Sequence, residues 1–367
     1  MCAPMTNSLS NEHRPRRLAD YVGGGLAISL VKALISRNLH SSAGNNVYSA
    51  GNMLMWGPPG CGKTTLALLY ARSTLCPNRE PGSWEGCGVC PVCLGTDTTN
   101  IYHYTISSPT EARPHIERYL DIAYASPVIV GDREDQYRQF IILDEFQRIS
   151  PELASLLLEA IEFGPNHTSW ILCTMDKQKL MANKVTSQAI ERRCLEVPLS
   201  NPPIDDMAGR ICDIMNIELE AAQALVKLAG SAGRAWSLLE RLLLVNTVEN
   251  ITYDLVYDEL AGGATVEGRA AFWSALALSD VGTVRAYIKM WQLDINGEVI
   301  AGLLVEDIIN RITGPNPSIE RLLADLARWW GNKSYPLEAV LLAHLGTSVV
   351  PPVPLLLTRG TGLRWLQ

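Results

Sequence analysis

Asn52-Met53-Leu54-Met55-Trp56-Gly57-Pro58-Pro59-Gly60-Cys61-Gly62-Lys63-Thr64-Thr65 runs from an apolar, strand-like stretch into the spacing G-x4-G-K-S/T, and the helix-like run Leu66-Ala67-Leu68-Leu69-Tyr70-Ala71 follows it. A strand, a glycine-rich turn and a helix in that order read as a phosphate loop. Glycines let successive backbone N–H groups turn inward on phosphate oxygens, and the following helix points its positive end at them. On this reading Gly57, Pro58, Pro59, Gly60, Cys61, Gly62, Lys63, Thr64 and Thr65 cradle ATP or GTP. Lys63 reaches the outer phosphates, and Thr64 offers its hydroxyl to a Mg2+ ion, which takes few protein ligands.

Hydrolysis requires carboxylates at the end of a second strand, one for the magnesium and one for the attacking water. Phe140-Ile141-Ile142-Leu143-Asp144-Glu145 supplies both. Four apolar residues in a row suit a parallel strand buried on both faces, and ligands of such sheets sit beyond the strands' carboxyl ends. Asp144 is expected in the magnesium shell and Glu145 as general base or water-orienting group. An acidic pair can also cap the next helix, but the phosphate loop favours the catalytic assignment.

Between these motifs Cys76 precedes Cys87-Gly88-Val89-Cys90-Pro91-Val92-Cys93, a C-x10-C-x2-C-x2-C arrangement. Two thiolates spaced x2 can meet one metal from a tight turn, and Cys76 would close a tetrahedral structural Zn2+ site with no position left for water. The chain has nine cysteines, an odd number, and its N-terminus lacks the order of a secretory signal. Disulfides are therefore disfavoured. Cys173, Cys194 and Cys212 read as fillers and Cys2 as part of a loose terminus, whereas Cys61 lies close to Lys63 and a helix N-terminus. Those conditions lower a thiol pKa and would make Cys61 open to oxidation.

Two nucleotide motifs with a thiol cluster between them resemble the AAA+ ATPase subunits of sliding-clamp loaders, above all the gamma/tau family of bacterial DNA polymerase III. The resemblance implies roles for further residues. Trp170-Ile171-Leu172-Cys173-Thr174 looks like the family's next strand, ending in a sensor at Thr174, and Asp176-Lys177-Gln178-Lys179-Leu180 continues it. Arg192-Arg193-Cys194 matches a Ser-Arg-Cys motif, so Arg193 inherits an arginine finger acting in trans on the neighbouring subunit's nucleotide. Arg192 replaces the serine, leaving open which arginine reaches across. Gly230-Ser231-Ala232-Gly233-Arg234 resembles the start of the second-sensor helix with Arg234 one residue late, a form similar to delta-prime subunits. Arg14, Pro15 and Val22 resemble the boxes that flank the adenine. Glu159 stands where the family has lysine, and Gly164-Pro165 where it has paired prolines.

The expected fold is an α/β P-loop ATPase, a parallel sheet flanked by helices with a zinc insertion at about 76–93, over residues 1–201. Asn201-Pro202-Pro203 marks a boundary to a helical lid, 202–262, with Ile211, Ile214, Leu219, Ala224, Leu225, Leu228, Leu238 and Leu239 at helical spacing. An all-α collar over 263–367 contains amphipathic stretches at Phe272–Leu278, Val284–Leu293, Val299–Ile312 and Pro317–Trp330. Trp329 and Trp330 suit core or interface, and the proline-broken run Val349–Leu357 is expected to lie along the collar rather than dock on a partner.

With 31 basic against 38 acidic residues the formal charge is −7, which excludes coating DNA by bulk electrostatics. No apolar run is long enough to span a bilayer, and no H-E-x-x-H, nucleophile elbow or dinucleotide fingerprint is present. The resemblance implies a cytoplasmic subunit, bacterial or virus-encoded and short like gamma. It would use ATP, Mg2+ and structural Zn2+ to open a sliding clamp and load it on primer-template DNA, with further copies and a companion subunit, serving the replicative polymerase indirectly. The alternatives are a non-hydrolysing, delta-prime-like structural subunit and an AAA+ motor for another replication or repair cargo.

Overall fold

The apolar run before the phosphate loop is a strand, β1 (Met53–Trp56), in the computed structural model, which describes residues 8–40, 51–129, 137–175, 177, 189–190, 192–260, 266–292, 297–311, 317–332 and 337–344. Four more strands join it: β2 (Ile101–Thr105), β3 (Gln139–Asp144), β4 (Thr168–Thr174) and β5 (Leu195–Pro198). They form one sheet in the order β2-β3-β4-β1-β5, and every neighbouring pair is parallel.

Successive residues of a strand face opposite sides of a sheet, and the core follows that rule. Met53, Met55, Phe140, Ile142, Ile171 and Cys173 enter one apolar cluster, while Leu54, Ile141, Leu143, Trp170 and Leu172 enter the other. Residues of α2 (Gly25–His40) and α3 (Lys63–Leu75) fill the first cluster. Those of α5 (Pro109–Tyr124) and α6 (Pro151–Phe163) fill the second. Both of the latter helices start where the sequence supplies a cap: Ser108 Oγ accepts from the Glu111 N–H and Ser150 Oγ from the Leu153 N–H, each at 3.3 Å. This part also has the short helices α1 (Leu9–Glu12) and α4 (Pro91–Leu94).

Because β1 is inserted between β4 and β5, the loop that leaves it lies beside the ends of the central strands. The Gly57 N–H donates to the Thr174 carbonyl at 3.3 Å, so the phosphate loop starts against the end of β4. The strand order thus gathers residues 57–65, 144–145 and 174 from three distant stretches of chain.

By contacts the chain divides into two units, Met1–Arg210 with Ser231–Glu240, and Ile211–Gly230 with Arg241–Gln367. The first contains the sheet. In the second, helices Leu219–Ala229 and Tyr253–Leu260 pack together, and further helices occupy Val266–Ala277, Val281–Gln292, Gly297–Arg311, Pro317–Asn332 and Leu337–Leu342. Trp329 is buried; the Trp330 side chain and Val349–Leu357 lie outside the described residues, as do Asp176 and Gln178–Leu180. No helix among the described residues is long and apolar enough to cross a membrane.

A buried ion pair pins the second unit. Arg269 donates to Asp307 through Nε at 2.8 Å and a terminal nitrogen at 3.2 Å, and Trp273 Nε1 donates to the same carboxylate at 3.2 Å. Removing one partner of such a pair costs far more than the pair contributes, since a desolvated charge is left behind. Asp307→Ala should therefore lower the unfolding free energy by about 3 kcal/mol. Urea denaturation would check this, and a loss below about 1 kcal/mol, the size of an ordinary substitution, would show the pair to be dispensable.

Candidate nucleotide site and thiol cluster

At the carboxyl ends of the strands lies a cavity of about 270 Å³ lined by the phosphate loop from Pro59 to Thr65, Asp144, Glu145, Arg14, Pro15, Val22, Arg210 and Trp236. Gly60 and Gly62 are where the loop needs glycine. Both have positive φ, 76° and 97°. A Cβ on Gly60 would stand 2.5 Å from Ser231 Oγ, and one on Gly62 would stand 2.7 Å from the Tyr21 hydroxyl. That hydroxyl donates to the Cys61 carbonyl at 3.0 Å, bracing the loop from the N-terminal segment.

Lys63 is buried, its ammonium donating to the loop carbonyls of Gly57 at 2.9 Å and Pro58 at 2.8 Å. The next residue, Thr64, donates to Asp144 Oδ2 at 2.5 Å. Two hard oxygen donors from different elements thus converge on one point. Mg2+ characteristically takes one or two such protein ligands and completes its shell with water and phosphate, so the pair fits that ion.

Glu145 follows in the left-handed region, φ 56° and ψ 38°, a conformation costing on the order of 1 kcal/mol for a non-glycine residue and frequent where function demands it. Its carboxylate is not left to rotate. Gln147 Nε2 donates to Glu145 Oε2 at 2.6 Å, and Arg148 Nε lies 3.6 Å from the same oxygen. The Gln147 carbonyl in turn accepts from the Thr174 hydroxyl at 2.9 Å and the Met175 N–H at 3.2 Å. Thr174, wholly buried at the end of β4, is joined to Glu145 through one amide. Sequence reading passed over Gln147; its place two residues beyond Glu145 was the available signal.

Arg14, Pro15 and Val22 line the cavity, with Arg14 Nε donating to Thr65 Oγ1 at 3.2 Å on the phosphate-loop side. Burial lowers the Arg14 pKa, opposed by the nearby Asp144 carboxylate. His13 stacks on Trp236 with ring centroids 5.1 Å apart, forming a wall that sequence reading did not pick out. Around the expected second sensor, Ala232 and Gly233 reach the cavity, whereas Arg234 is exposed and absent from the lining. Arg193 also stands outside the lining. It is paired with Glu162 on α6 and donates to the Ala189 carbonyl at 2.9 Å, while Arg192 is exposed.

Cys61 corrects an expectation. Proximity to Lys63 does act to lower its pKa, but burial is the larger influence and pushes the thiol up, so the residue is a poorer nucleophile than its neighbours in sequence suggest.

The four spaced cysteines come together. Cys76 ends α3, and Cys90 begins the four-residue α4. All four Sγ atoms lie within 4.8 Å of one another, with Cys76 to Cys90 at 3.8 Å and Cys87 to Cys93 at 4.0 Å. Zn–S bonds of about 2.3 Å in a tetrahedron place sulfurs roughly 3.8 Å apart, so the cluster fits the ion. Backbone N–H groups already point at the sulfurs: Cys87 to Cys76 and Cys90 to Cys87 at 3.3 Å, Cys93 to Cys90 at 3.4 Å.

A family model described as DNA polymerase III, delta subunit, matches residues 31–202. DNA polymerase III subunit gamma/tau of Mycobacterium tuberculosis H37Rv is 25% identical, the match covering 88% of this chain and 56% of that protein. Over most of its length the chain is similar to DNA polymerase III gamma/tau subunits. Escherichia coli K12 DNA polymerase III subunit tau is 26% identical over 64% of this chain and 34% of its own length. The chain therefore spans little more than half the length of its mycobacterial gamma/tau relatives, 56%. Among solved structures, a Thermotoga maritima RuvB mutant aligns with a TM-score of 0.47 at 18% identity, over 73% of this chain and 82% of that one.

Proposed function

We propose that the chain is an ATPase subunit of a sliding-clamp loader. The observation that carries this is the convergence of Lys63, Thr64, Asp144 and Glu145 on one cavity, with the Thr174 amide relay behind it, in a relative of gamma/tau that also gathers four thiols. Loop amides and Lys63 bind the phosphates of ATP. Glu145 orients a water and accepts its proton as the water oxygen attacks the terminal phosphorus and the bond to the bridging oxygen breaks, releasing ADP and phosphate. Thr64 and Asp144 would hold Mg2+, which when bound supplies neutralisation of phosphate charge. Thr174 reports the terminal phosphate to Glu145 through Gln147. Cys76, Cys87, Cys90 and Cys93 would hold Zn2+ as a structural staple.

The remaining assignments belong to the same reading. The nucleotide domain ends near residue 201, a lid near 262, and the remainder is a collar for assembly. Arg193, which has no place in its own cavity, acts on the neighbouring subunit's nucleotide. The partners are further copies, a companion subunit, the clamp and primer-template DNA, in the cytoplasm.

One observation favours a second reading, a non-hydrolysing structural subunit: Arg234 is exposed and outside the cavity lining. Steady-state ATP hydrolysis separates the two, measured on the chain alone and then with primed DNA, cognate clamp and companion subunit. Stimulation by DNA and clamp together is the expected result. Tight ATP binding without turnover in any combination would install the second reading instead.

A further inference from the structure

The cavity contains three long cationic side chains, from Arg14, Lys63 and Arg210, and two of them have oxygen acceptors. Arg14 is bonded to Thr65, and Lys63 to its own loop carbonyls. Arg210, on helix Ile204–Met215, differs: its Nε is buried and meets no hydrogen-bond partner among the described residues. A buried guanidinium N–H without an acceptor is destabilising, and an anionic ligand in the cavity would relieve it.

The place where an arginine was expected is occupied differently. The Gly233 N–H donates to the Gly60 carbonyl at 3.2 Å, so the start of helix Ala232–Leu243 abuts the phosphate loop with a glycine, and Arg234, one residue further on, is exposed. Positive charge enters the cavity from Ile204–Met215 instead.

We propose that Arg210, not Arg234, is the arginine that this chain itself directs at the phosphates of its bound nucleotide. The assignment rests on the nucleotide-binding part of the proposed function and does not depend on hydrolysis. A guanidinium suits the task because it gives paired donors to phosphate oxygens at fixed geometry.

Isothermal titration of the full chain with Mg·ATP and with Mg·ADP tests it. Arg210→Ala and Arg210→Gln should each weaken ATP binding roughly tenfold or more, the loss of a charge-assisted hydrogen bond, and flatten its dependence on salt. Arg210→Lys should recover part of the affinity, since it restores the charge without the fork. Arg234→Ala should stay within about twofold of the parent, as expected for an exposed side chain. Unchanged melting temperatures without nucleotide would show the variants folded. Parent-like ATP affinity in the folded Arg210→Gln variant, or a tenfold loss in Arg234→Ala instead, would overturn the assignment. If the Arg210 variants lose affinity while the parent binds ATP but never turns it over, the assignment stands and only the hydrolytic reading falls.

Discussion

Glu145→Gln should lower single-turnover ATP hydrolysis by a factor on the order of a thousand, the scale of a lost general base, while ATP affinity stays within a few-fold. The substitution is close to isosteric and leaves the left-handed backbone at Glu145 unchanged. Its amide oxygen can accept the Gln147 N–H that the carboxylate accepts at 2.6 Å, so the side chain keeps its place and loses only its charge and basicity. Phosphate binding by Lys63 and the loop does not involve it. Binding measured by titration and turnover measured by quench-flow should therefore separate cleanly. A variant that hydrolyses at the parental rate would remove Glu145 from catalysis, and one that loses binding in step with turnover would make its role structural.

Stripping the thiol cluster of metal should do more than loosen a surface module. The segment from Cys76 to Gly95 has one four-residue helix and little apolar core beyond Val92, so a zinc ion held there would provide most of its stability; structural zinc sites in small domains are worth about 10–16 kcal/mol of apparent binding energy. The module is also tied back to the nucleotide site. Glu85 Oε1 accepts the Leu18 N–H at 2.6 Å, and Lys32 sits 3.6 Å from the Trp84 ring centroid. Three residues beyond Leu18, Tyr21 braces the Cys61 carbonyl.

The purified chain should carry one zinc per molecule. Cys90→Ser, or a strong chelator, should lower the melting temperature by on the order of 10 °C, as a loss of only about 4 kcal/mol would for a domain of this size. ATP affinity should fall as well, because the Tyr21 brace loosens. A metal-free preparation whose melting temperature ignores both treatments would dismiss the zinc site.

What could be read before the structure was what is local along the chain. The phosphate loop, Asp144-Glu145 and the cysteine spacing each depend on residues a few positions apart, and the cysteines do converge. β2 gave no such signal. As an edge strand, Ile101–Thr105 is only partly buried, with histidine and tyrosines between its apolar positions, so nothing in it resembles the continuous run of β3. Tyr21 and the His13–Trp236 wall matter only through partners brought from far along the chain, and Gln147 links its near neighbour Glu145 to the distant Thr174. The Cys61 expectation failed for a related reason: sequence shows that Lys63 is near but not that the thiol is buried. Arg234 shows the same gap, because helical register says where an arginine stands and not whether its side chain turns inward.

The pairing of Arg193 with Glu162 makes any service to a neighbour an act of exchange. Within its own subunit the guanidinium also donates to the Ala189 carbonyl, and its charge is met by a partly exposed carboxylate, a pairing worth about 1 kcal/mol or less. On the proposed reading, the rival for it is the next subunit's nucleotide, and the two states of that nucleotide compete unequally: a triphosphate outbids one carboxylate more easily than a diphosphate does. Glu162 would then set a threshold, so that the contact between neighbouring copies tightens when the adjoining site is charged and relaxes once its terminal phosphate has gone.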